Sequence, residues 1–300
     1  MVAAASGAVR ASVRLRSSPR ALHMVPTGRK LMLPLFTNLQ FKQFPWVTYT
    51  LIMLNIAAFI GEMALRDSGI LGYTITHWTF TVGKGEIALA TGYPDLLFHA
   101  VAGVFVYMFL HGNVIHLLTN MPFLFALGPA IEARLGKVKF LCFYLASGIC
   151  AALFFAQIES LGNGLIGASG AMAAVVGAFL VFWPKARITS LMGVKVMTSN
   201  ALVMLLDYAG LQFTAYYFSD GPRGVAITAH IGGFLFGALF ATTLRFSALF
   251  RSQPAQVVLP PYQKELYDDI ADWLEAFICN CWRSAVRLIS LPVRKFKSNS

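Results

Sequence analysis

Acidic side chains are scarce in this chain. Asp and Glu number 13 against 24 Lys and Arg in 300 residues, and none precedes Glu62. Charged residues of both signs make up only 12% while hydrophobic ones reach 57%, with a mean hydropathy of +0.65, which excludes an ordinary soluble domain. The apolar runs lack the two-residue alternation of an outer-membrane barrel, and backbone groups in lipid must be satisfied internally, so the runs read as helices. Cysteine is limited to Cys142 and Cys150 in an apolar run and Cys279 and Cys281 in a C-x-C pair, which gives no disulfide framework and reads as packing. No apolar segment near the start has the form of a secretory signal peptide.

What is present is a polytopic, all-α membrane protein. Spans of about 20 apolar residues cross ~30 Å of hydrocarbon, and six candidates lie at 47–64, 112–132, 138–158, 169–184, 200–218 and 225–244. Three regions follow: a basic arm over 1–46, a six-helix bundle over 47–245 and a tail over 246–300. The arm, with Arg10, Arg14, Arg16, Arg20, Arg29, Lys30 and Lys42 among Ser and Ala, reads as a transit peptide or as a basic segment that enforces orientation. Residues 262–291 place Leu266, Ile270, Trp273 and Phe277 at helical spacing, as in an amphipathic helix at a membrane surface. The apolar patch 101–110 is too short to span and is expected to lie in the interface or re-enter.

Arg134, Lys137 and Lys139 follow the second span, and Lys185, Arg187 and Lys195 follow the fourth, so these loops belong with the termini on the cytosolic or matrix side. Topology accounts for the net charge of +11, and nucleic acid is not expected as a partner. Ser169 then lies at the far end of the bundle, near the non-cytosolic or intermembrane face but within the membrane.

Ser169 opens the run SGAMAAVVGAFLVFW between Gly167 and Gly170. Unsatisfied amides at a helix start favour developing negative charge there. A serine nucleophile needs a base within about 2.6–3.2 Å, and the sixth span carries His230, an ionisable group where insertion is costly. Gly233 and Gly237 share the face of His230, and Ala173 and Gly177 share that of Ser169, so small residues would let the two helices approach; close packing alone explains the same pattern. In HGNVIHLLTN, His116 and Asn120 stand one turn apart and both can donate hydrogen bonds to an oxyanion, whereas His111 is off that face and reads as structural. Zinc and aspartyl alternatives fail on residues: H-E-x-x-H and G-x-G-D are absent, and the spans offer only Asp207, an intramembrane charge whose role, functional or as a group facing a water-filled cavity or paired with a polar neighbour, stays open.

With GASG, A-H-I-G-G and H-x4-H-x3-N in place, residues 47–245 resemble the rhomboid family of intramembrane serine proteases. The resemblance implies a Ser169–His230 dyad without an aspartate and an oxyanion hole from His116 and Asn120. His111 completes the histidine motif, and Glu132, Arg134 and Gly136 match the family's E-x-R-x-G. The first loop lacks the family's Trp-Arg pair, which leaves its anchoring open, and Ala173 replaces an aromatic that some members stack on the catalytic histidine, which leaves the histidine's orientation open. The reaction implied is hydrolysis of peptide bonds in or next to transmembrane segments of membrane-protein substrates, without metal or organic cofactor. The alternative is a non-catalytic rhomboid-like factor that binds membrane proteins for quality control. The membrane expected from the arm is the mitochondrial inner membrane, with plastid or secretory-pathway membranes as alternatives.

Overall fold

The computed structural model describes residues 32–41, 43–66, 69–192, 195–204, 206, 208 and 227–247. Strand β1 (Met32–Thr37) precedes helix α1 (Trp46–Arg66); the first loop then folds into α2 (Leu71–Trp78), β2 (Phe80–Thr81), α3 (Lys84–Thr91), α4 (Pro94–Val106) and a 3-10 turn (Tyr107–Phe109). Helices α5 (Val114–Leu135) and α6 (Lys137–Ile158) follow, then β3 (Gly164–Leu165), α7 (Ser169–Phe182), the hairpin β4 (Arg187–Met192) and β5 (Lys195–Asn200), and α8 (Ile227–Phe246).

Four of these helices, α1, α5, α6 and α8, are long and apolar enough to cross a membrane, and they match the first, second, third and sixth predicted spans. Their faces are sorted as lipid requires. Along α8, Gly233, Gly237 and Ala241 are buried while Ile231, Leu235 and Leu239 are exposed; the small residues face protein and the large apolar ones face outward. On α1 the buried stripe is Thr48, Leu51, Asn55, Phe59 and Glu62, so its polar residues recur every seventh position on the inner face, and Met53, Leu54 and Ile60 face out.

Helix α7 is the exception in length. Its 14 residues rise about 21 Å at 1.5 Å each, short of ~30 Å of hydrocarbon. It is tolerated because it touches almost no lipid: every residue from Ser169 to Phe179 is buried, with α5, α6 and α8 packed around it.

The apolar patch 101–110 proves to be part of a longer element. Helix α4 and the 3-10 turn run through it; Val101 and Phe105 stay exposed while Tyr107 and Met108 are fully buried, so the patch starts on the surface and ends inside the bundle. Tyr107 Oη donates to the Gly148 carbonyl at 2.7 Å. The outer part of the loop is fastened by Lys84, whose Nζ donates to the Thr76 and His77 carbonyls at 2.9 Å each and closes the end of α2; partial burial lowers its pKa. Strands β2 and β3 pair antiparallel, joining this loop to the one before Ser169. These contacts anchor the first loop in place of the missing Trp-Arg pair.

Two expectations change. The segment 1–46 is not an arm throughout: residues 32–37 form β1, which pairs antiparallel with β4, with a register shift between Pro34 and Phe36. The basic loop after α7 is likewise structured, as the hairpin β4–β5, so a three-stranded sheet in the order β1-β4-β5 joins the otherwise helical fold. Asn38 fixes the pairing by donating its N–H to the Arg187 carbonyl while its Oδ1 accepts from Arg187 N–H. The arm up to residue 31, most of the predicted span 200–218 including Asp207, and the predicted tail helix 262–291 with Cys279 and Cys281 lie outside the described residues.

Candidate active site

The loop before α7 turns sharply at Gly167, whose φ of +114° lies in the region that favours glycine. Space makes the same demand: a β-carbon there would lie 2.5 Å from His116 Cε1. The Gly167 amide donates to the Tyr107 carbonyl at 2.8 Å, which ties this loop to the re-entrant turn. Chain direction then changes, and Ser169 becomes the first residue of α7, 6% exposed.

Helix α8 delivers the partner. His230 is 8% exposed, and its Nε2 lies 2.7 Å from Ser169 Oγ, a hydrogen bond that depends for its direction on the tautomer. The approach rests on small residues, among them the expected Gly177, Gly233 and Gly237, with Gly170 and Ala174 added. A β-carbon on Gly233 would land on the Gly170 carbonyl oxygen, and one on Gly237 would land on the Ala174 carbonyl oxygen. Gly177 faces the Phe234 carbonyl in the same way. On α7 the close row is therefore Gly170, Ala174 and Gly177, with Ala173 buried beside it. With alanine at 173, the imidazole still holds hydrogen-bonding distance to Ser169. Polar ties hold both ends of α8: Thr228 Oγ1 donates to Glu159 Oε1, at the end of α6, at 3.1 Å, and Arg245 Nη1 donates to the Val181 carbonyl of α7 at 2.7 Å.

Helix α5 supplies the opposite wall. Asn113 caps it, its Oδ1 accepting from the His116 amide at 2.8 Å. The His116 ring lies against Gly167, and one turn on, Asn120 is 3% exposed with an Nδ2 that has no hydrogen-bond partner among the described residues. A buried amide donor without an acceptor is costly to keep. His111 does not belong to this helix at all. It precedes the Asn113 cap, is fully buried, and meets the His116 ring edge-on with centroids 5.1 Å apart.

The remaining motif residues lie at the other end of α5, away from the serine. Glu132 Oε1 accepts from the Val47 amide at 3.0 Å, and its Oε2 accepts from the Thr48 amide and hydroxyl at 2.7 and 2.8 Å; it caps the start of α1. The Arg134 guanidinium lies 4.6 Å above the Phe182 ring, at the end of α7. Gly136, with φ +81°, makes the turn between α5 and α6.

One residue was missed in the sequence. Glu62, near the end of α1, is 5% exposed, and its Oε1 accepts from the His111 amide at 2.7 Å. The signal was available, since a carboxyl in an apolar span is itself unusual.

Known proteins with similar sequences bear on this arrangement. Residues 99–246 match the family model described as "Rhomboid domain". The chain is 34% identical over 140 residues to Presenilin-associated rhomboid-like protein A, mitochondrial, of Danio rerio, covering 44% of this chain and 34% of that protein. It is 29% identical over 218 residues to Rhomboid protease AarA of Providencia stuartii, covering 65% of this chain and 71% of that one. To Rhomboid-like protease 3 of Toxoplasma gondii it is 25% identical over 188 residues, covering 62% and 61%. The chain thus spans about a third of the zebrafish protein's length and most of the bacterial one's.

Proposed function

The chain is a rhomboid-family integral membrane protein, with its rhomboid domain over residues 99–246, and from that premise we propose that it is an intramembrane serine protease. One observation carries the reading: a serine at the start of a short helix, buried from Ser169 to Phe179, stands 2.7 Å from a histidine on a neighbouring span.

In this reading His230 Nε2 takes the proton of Ser169 Oγ as the oxygen attacks a substrate carbonyl. The tetrahedral oxyanion is received by Asn120 Nδ2, by His116 and by the amides at the start of α7. His230 then passes its proton to the leaving amine, and water hydrolyses the acyl-enzyme. The buried seam between α7 and α8 holds the two groups within hydrogen-bonding distance. Substrates are membrane proteins whose spans unwind near the depth of Ser169, since only an unwound segment exposes its carbonyls to attack. Neither step calls for a metal or organic cofactor.

The basic end of the bundle, with Arg134, Lys137, Lys139, Lys185, Arg187 and Lys195, is the cytosolic or matrix side, and Ser169 lies toward the opposite face. The basic, acid-free arm supports the mitochondrial inner membrane as the location. Residues 1–46 fused to a fluorescent reporter are expected to enter mitochondria; a reporter that stays cytosolic rejects that address.

The activity is tested in proteoliposomes with a single-span substrate. Wild type is expected to cleave it, Ser169→Ala to lose cleavage, and Asn120→Ala to lose on the order of 10²-fold in kcat with its fold intact. Cleavage that survives Ser169→Ala rejects the serine mechanism, and a wild type that binds the substrate without cutting it favours a quality-control binder.

A further inference from the structure

We propose that Glu62 is a positioning residue for the oxyanion side of the site, a proposal that rests on the serine-protease reading above. Glu62 lies on the inner stripe of α1, which is otherwise attached to the bundle by apolar contacts and by Glu132 at its far end. A carboxyl at that depth is costly unless it is held. Among the described residues it is held by one hydrogen bond: Oε1 accepts the His111 amide at 2.7 Å, across 49 positions of sequence.

The location of that amide gives the contact its consequence. The 3-10 turn has ended by Leu110, and α5 has not yet begun, so among the described residues the His111 N–H finds its acceptor in Glu62 and not in a helix. Only Gly112 and Asn113 separate His111 from the first turn of α5, where Asn113 caps the His116 amide. On one side the His116 ring touches Gly167, and on the other it meets the His111 ring. Fixing the His111 backbone therefore fixes where α5 starts, how deep His116 sits and, one turn later, where Asn120 points its free donor. An apolar residue at 62 would fill the space equally well; what the carboxyl adds is an acceptor at this point in the backbone.

The test uses the full chain in proteoliposomes with the single-span substrate, beside a peptide aldehyde whose hemiacetal oxygen needs the same donors as the transition state. Glu62→Ala is expected to lower kcat about tenfold or more while KM stays within about threefold, and to weaken the aldehyde by a similar factor. Glu62→Gln keeps an oxygen acceptor and is expected to restore both to near wild type. A Glu62→Ala protein that unfolds at lower temperature but retains kcat per folded molecule and aldehyde affinity overturns the proposal, because the carboxyl then only stabilises the fold. If Glu62→Ala does not fold, Glu62→Asp withdraws the acceptor by one methylene; it is expected to lose kcat in the same way, and an unimpaired Glu62→Asp overturns the proposal. Cleavage that survives Ser169→Ala defeats the protease reading and this proposal with it. Serine-dependent cleavage with all Glu62 variants at full rate defeats the Glu62 proposal alone.

Discussion

Helices α8 and α1 are held to the rest of the bundle by different kinds of contact. Helix α8 meets α7 backbone to backbone through Gly233, Gly237 and Gly177, a seam with no room for a β-carbon. Helix α1 is held by polar atoms at its two ends: Glu132 grips its start and its own Glu62 grips His111. The difference follows from what lipid permits. Hydrocarbon provides no hydrophobic drive between helices, so a tight seam requires either close van der Waals approach or hydrogen bonds. The first fixes a distance along a whole helix, as a Ser–His pair needs. The second fixes a point, as a cap or a loop needs.

The comparison is broken most severely on the α8 side. Gly237→Val sets a branched side chain on the Ala174 carbonyl oxygen, and separating the helices is expected to cost about 3 kcal/mol or more. It should remove cleavage even at temperatures where the protein stays folded, because the Ser169–His230 distance grows. Thermal unfolding together with activity in proteoliposomes checks this, and a folded Gly237→Val protein with full activity would show that the seam does not set the dyad.

On the α1 side the expected effect is smaller and of a different type. Glu132→Gln keeps one acceptor oxygen for the Val47 and Thr48 donors, and should cost roughly 1–2 kcal/mol of stability. Because Glu132 lies at the end away from Ser169, kcat per folded molecule should be unchanged. A fall in kcat out of proportion to folded protein would mean that α1 transmits strain from one end of the bundle to the other, and the distinction between seam and point contact would fail.

The same contrast explains what could be read from the chain before its structure. Ser169, His230, His116, Asn120 and the glycines of α8 were legible because membrane helices have a fixed period, and small or ionisable residues stand out against apolar neighbours. Of the small-residue faces, Gly177, Gly233 and Gly237 meet across the seam as their spacing suggested, and the structure adds Gly170 and Ala174. Glu62 and Glu132 were visible as residues, but their partners lie 49 and 84 or more positions away, and no local pattern encodes such pairs. Strand β1 was hidden for a related reason: six residues in a basic arm become a strand only when β4 pairs with them, and RITSLM is too short and too mixed to declare itself. For the patch 101–110 the sequence left interface and re-entry both open, because a ten-residue apolar stretch fits either; the burial of Tyr107 and Met108 came from tertiary packing.

The central claim is that Ser169 is a nucleophile activated by His230. Its most direct measurement is labelling of the full-length protein in proteoliposomes by a serine-reactive fluorophosphonate, with the adduct located by peptide mass spectrometry. The account predicts one adduct, on Ser169, which falls to background in His230→Ala while that variant remains folded. An adduct on another residue, or labelling of Ser169 at an undiminished rate in His230→Ala, would contradict it.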